Sequence, residues 1–120
     1  MFIVDRIVAI IRPKQKMLQW LHDQPEVQAN FSLQNLQTDC TALLIPPFES
    51  PRQAREYIKQ TYQGIFEGEL VSWGLPPTSW PKDRTYDLFN EWFNVEFHSV
   101  VLDMGYVEQQ KNANKAENNH

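Results

Sequence analysis

Three short apolar runs, each shut by proline or glycine, constrain this chain more than any other feature. Ile7-Val8-Ala9-Ile10-Ile11 is dominated by β-branched residues and is stopped by Pro13, and Ala42-Leu43-Leu44-Ile45 runs into Pro46-Pro47. A third stretch, Val95 to Met104, is ended by Gly105. Runs this short and this rich in branched residues favour the pleated backbone over a buried helix. They predict strands over Ile3 to Arg12, Thr41 to Ile45 and Val95 to Met104. The first two are apolar without alternation. That pattern predicts strands covered on both faces, with the first in the middle of the sheet.

Helical spacing fills the intervals. Met17, Leu18 and Leu21 recur at helical spacing between Pro13, which suits a first helical turn, and Pro25. Ser32 can cap a short turn through Leu33 and Leu36. Ser50-Pro51 is a strong helix start, followed by a stripe of Ala54, Ile58, Tyr62, Phe66, Leu70 and Trp73. Gly64 and Gly68 interrupt it. Each costs about 1 kcal/mol against alanine, and together they predict a bend or a close backbone contact. Gly74 suits the C-terminal cap, and Pro76-Pro77 forbids continuation. A last helix presents Tyr86, Phe89, Trp92 and Phe93 inward, and Asn94 is expected to end it in a left-handed conformation.

The expected order is β-α-β-α-α-β: an α+β fold, a small three-stranded sheet with the first strand central, packed with three to four helices. Residues 1–105 read as one domain, and 106–120 as a disordered polar tail rich in Asn, Gln and Lys. Three strands leave two edges, so pairing with a second copy as a homodimer is expected.

Charge and cysteine usage narrow the partners. The formal net charge of −4 carries no advertisement for nucleic acid, which needs clustered cations. No apolar stretch approaches the ~20 residues of a membrane span, and no basic leader precedes the first run. The single Cys40 cannot form an internal disulfide or a thiolate metal site, which points to a reducing compartment, the cytoplasm. His22, His98 and His120 have no metal-binding spacing, so neither metal nor cofactor is expected.

Four places can carry chemistry. Glu96 and His98, two apart on a strand, share one face; a carboxylate beside an imidazole can orient it as a general base. Val95, Phe97, Ser99 and Val101 on the other face look like core, so the alternative is an ordinary wet face. Arg12 and Lys14 flank the start of a helix, where free N–H groups attract anions. No glycine-rich phosphate loop accompanies them, and solvated charges explain them as simply. Trp73, Trp80 and Trp92 bracket the loop Gly74 to Pro81, as a ligand or peptide groove would, or as Trp80 would if it plugged a gap between helices. Cys40 stands next to Asp39, which works against thiolate formation, so it reads as a small buried hydrophobe.

The segments Ile10-Ile11-Arg12-Pro13-Lys14-Gln15, Trp80-Pro81-Lys82-Asp83-Arg84 and Trp92-Phe93-Asn94-Val95-Glu96-Phe97-His98-Ser99 resemble a family of small, uncharacterised bacterial proteins. The resemblance spans residues 5–105 and implies no activity. The residues themselves favour an accessory or protein-interaction domain without catalysis, with Trp80, Trp73 and Trp92 at the contact. The alternative is a small hydrolase-like enzyme with His98 as base, Glu96 orienting it and Arg12 holding an anionic group.

Overall fold

The computed structural model describes residues 2–3, 5–25, 27 and 32–105. The tail read from the sequence at 106–120 therefore lies outside the described residues. The first apolar stretch is two strands rather than one. β1 (Phe2–Ile3) is separated from β2 (Ile7–Pro13) by a bend at Asp5 and Arg6, two charged residues that no apolar layer would accept. Pro13 is the last residue of β2, not the first of the helix. Helix α1 (Gln15–His22) begins after Lys14, whose N–H donates to the Trp92 carbonyl at 2.7 Å. The single turn α2 (Leu33–Leu36) carries the cap expected of it. Ser32 Oγ accepts the Asn35 N–H, and the Asn35 side chain accepts the Ser32 N–H in return.

β3 (Thr41–Ile45) falls where the second run predicts it. Helix α3 (Pro51–Ser72) follows from Ser50, whose Oγ accepts the Gln53 N–H at 3.3 Å. Ser50→Ala removes that acceptor and is expected to cost about 1 kcal/mol, measured by urea denaturation. The helix runs unbroken through Gly64 and Gly68, and neither glycine makes the close contact expected, since nothing lies within 4 Å of a Cβ built at either. Both are exposed and simply dilute the stripe. Gly74 does end the helix, at φ +71°, which a side chain would strain.

Past a 3-10 turn at Pro77–Ser79 comes α4 (Tyr86–Trp92), capped by Thr85. Asn94 does not take a left-handed cap; positive φ occurs at no described non-glycine residue. Phe93 is already extended, and β4 (Phe93–His98) starts with no intervening loop. Burying Phe93 beside Phe89 and Phe66 settles this junction more strongly than Asn94's local preference. The third predicted strand is also interrupted: after Ser99 to Val101 the chain forms β5 (Leu102–Asp103), which pairs antiparallel with β1 in a ladder of its own.

The main sheet is antiparallel, ordered β3-β2-β4, with the first apolar run central as expected. Its register puts Ile7, Ala9, Ile11, Ile45, Val95 and Phe97 on one face, where Ile7, Ala9, Ile11 and Ile45 join Met17, Leu21, Ile58, Phe66, Phe89 and Phe93 in the core. The other face carries Val8, Ile10, Arg12, Ala42, Leu44, Asn94, Glu96 and His98. That face corrects the expectation of strands covered on both sides. Ala9 and Ile11 are fully buried, whereas Leu44 is 63% exposed. Among the described residues the helices cover one face only, and apolar residues on the open face mimic a doubly covered strand in the sequence.

Candidate functional site

The open sheet face assembles three of the predicted residues. The β2–β4 register sets Arg12 beside Asn94 and Ile10 beside Glu96, so Arg12 reaches Glu96 diagonally. Its Nη2 donates to Glu96 Oε2 at 3.2 Å, and His98 Nε2 meets the same oxygen at 3.1 Å. Two donors on one carboxylate favour its ionised form. The His98 contact and then Arg12 hold the Glu96 carboxyl below the usual range. The trio is an ordered polar strip, yet it lies on an exposed surface, and none of the larger clefts is lined by it. Lys14 does not join Arg12: its Nζ donates to the Asn90 carbonyl at the end of α4. The two cations thus serve different partners.

The three tryptophans separate. Trp92 is core, its ring 5.2 Å from Trp20 and 5.3 Å from Phe66. Trp80 is half-buried against the same core, with its indole N–H donating to the Leu75 carbonyl and the Arg84 guanidinium 5.6 Å from its ring. Arg84 also bonds Glu67 and the Pro81 carbonyl, which ties this loop to α3. Trp73 is half-buried and forms part of a cleft.

Little in the linear pattern announces that cleft. It encloses about 260 Å³ where the end of α3 meets the start of β3 and the Pro13 end of β2. Ile11, Pro13, Met17 and Leu36 make its apolar part; Asp39, Cys40, Thr41, Glu69, Ser72 and Trp73 supply the rest. Glu69 is its half-buried carboxyl, whereas Asp39 is exposed. Burial pushes its pKa up, and a hydrogen bond with the Thr41 side chain offsets part of the rise. Partial burial likewise pushes the Cys40 thiol up, and Sγ donates to the Gln37 carbonyl at 3.4 Å; the residue is half-buried rather than the buried hydrophobe expected. One sequence signal could have found Glu69: it stands three residues after Phe66 and four before Trp73, an acid on the apolar stripe of α3.

Glu69→Gln supplies a test of that environment. A carboxyl whose folded pKa lies above its unfolded value destabilises the fold only once ionised. The penalty is absent below the unfolded pKa, grows as pH rises between the two, and is complete above the folded value. The variant is therefore expected to be more stable than the parent near pH 7, with the gain vanishing as pH falls through the carboxylate range in thermal melts.

Comparison with known proteins returns no matching family, no matching curated protein and no matching solved structure. Among the described residues no helix is long and apolar enough to cross a membrane, and no group of His, Cys, Asp and Glu side chains is placed to hold a metal ion.

Proposed function

We propose that this chain is a small cytoplasmic accessory domain that acts by protein contact rather than catalysis, and that its first contact is a second copy of itself. The observation that carries this is the edge of β4. Among the described residues β4 pairs only with β2, so its outer backbone groups face away from the sheet. Its sequence, Phe-Asn-Val-Glu-Phe-His, has no proline or lysine to blunt the edge. The β3 edge runs directly into Pro46-Pro47.

Charge selects the register of an antiparallel pair of β4 strands. Centring the twofold axis on Phe97 sets each Glu96 opposite the other copy's His98 and brings the two Phe97 residues face to face. Shifting the centre to Glu96 would oppose two carboxylates. The favoured arrangement joins two sheets into one of six strands with all helices on the same side. Sedimentation equilibrium should report a dimer, and His98→Glu, which sets acid against acid, should weaken it at least tenfold while leaving the circular dichroism spectrum unchanged. A wild-type chain that stays monomeric at about 1 mM would remove the reading.

The meeting of Arg12, Glu96 and His98 favours a second reading, a hydrolase-like site with His98 as base. It expects turnover of a simple ester such as p-nitrophenyl acetate that is lost in His98→Ala. Equal rates for the two proteins would dismiss it.

A further inference from the structure

We propose that the cleft between α3 and β3 binds a small organic cation, a compound with one ammonium group on a short apolar or aromatic body. The size, wall and charge of the cleft each restrict the ligand. At about 260 Å³ it lies just below the usual range for drug-sized ligands, which favours a small occupant. Its apolar part, built from Ile11, Met17 and Leu36, takes a hydrocarbon body. Among the described residues every charged side chain that lines it is acidic, Glu69 from α3 and Asp39 from the segment before β3. Arg12, whose charge is felt at Cys40, is engaged with Glu96 on the open sheet face and does not line the cleft. Trp73 adds an indole wall, the ring best suited to a cation. Thr41, whose side chain hydrogen-bonds Glu69, and Ser72, whose Oγ donates to the Glu69 backbone carbonyl at 2.6 Å, complete the polar edge.

The state of Glu69 agrees with this geometry. Its carboxylate is disfavoured by burial and is held only in part by Thr41. An ammonium group entering the cleft would supply the opposite charge that the site lacks. A neutral ligand of the same shape would gain the apolar contact alone. An anion would meet two acids.

This inference does not depend on the dimer, because the cleft is lined by no residue of β4. Titration of the wild-type chain with phenethylammonium chloride, followed by ¹⁵N–¹H NMR, is expected to give saturable shifts centred on Thr41, Glu69, Ser72 and Trp73. The neutral 2-phenylethanol is expected to bind at least tenfold more weakly, and Glu69→Gln to bring the two ligands to parity. Phenethylammonium binding to the parent should also weaken as pH falls and Glu69 takes up its proton, a readout that needs no variant. Absence of saturation by about 10 mM phenethylammonium, equal affinity for the alcohol, or binding indifferent to pH between about 4 and 7 would overturn the proposal.

Discussion

Replacing Phe66 with Ala will cost about 3–5 kcal/mol and lower the thermal midpoint by roughly 12–20 °C. Phe66 projects from the middle of α3 and is fully buried. Its ring lies 5.9 Å from Phe89, 5.3 Å from Trp92 and 5.6 Å edge-on from Phe93, so one side chain joins α3 to α4 and to the first residue of β4. Truncation leaves a hole between rigid rings, which cannot collapse to fill it as flexible aliphatic chains would. Such a loss is a large part of the stability of a domain this small. Val71→Ala on the same helix is the control: Val71 is 60% exposed, and its truncation should stay within about 0.5 kcal/mol. Similar losses for the two variants would contradict the proposed centre of the core.

Lysine placed at two adjacent positions of β2 should give opposite results. Ala9→Lys sets an ammonium on the covered face, at a residue with no exposed surface and flanked by Leu43 and Phe97. No described acid faces it across either neighbouring strand, and a cost of about 4 kcal/mol or more is expected, enough to abolish a cooperative unfolding transition. Ile10→Lys points the other way. It stands opposite Ala42 and Glu96 on the open face, where water and a carboxylate are at hand. Its cost should be about 1 kcal/mol or less. The contrast depends only on the period of two and on the helices lying on one side. Circular dichroism and urea denaturation of the two variants measure it.

Much of the fold was legible because local signals and tertiary packing agree. Ser50-Pro51 marks the start of α3, Gly74 its end, and the apolar runs locate all three strands of the main sheet with the first one central. What escaped was whatever depends on a second layer that sequence does not show. Val8, Ile10 and Leu44 are as apolar as Ile7, Ile11 and Ile45, so the runs read as covered on both faces. Composition carries no mark of how many helical layers are available. Asn94 misled for a related reason. Its local preference favours a cap, but Phe93 gains more by entering the sheet with its ring in the core.

The candidate sites divide along the same line. Glu96 and His98 were placed on one face by their spacing alone, and the strand register then brought Arg12 to them. The cleft has no such local signature. It exists because the segment through Asp39 and Cys40 packs near the end of α3, about thirty residues further along the chain. Only the misplaced acid on an apolar stripe, Glu69, hinted at it. Trp73, chosen as part of an aromatic contact, lies at that cleft, while Trp92 belongs to the core.

Methyl relaxation by a water-soluble gadolinium chelate is the most direct test of the one-sided sheet. The methyl groups of Leu44 should broaden strongly, those of Val8 and Ile10 in part, and those of Ile11 and Ile45 hardly at all. Protection of Leu44 and Ile10 equal to that of Ile11 would mean that a second layer covers the sheet, and would contradict a core built on one face alone.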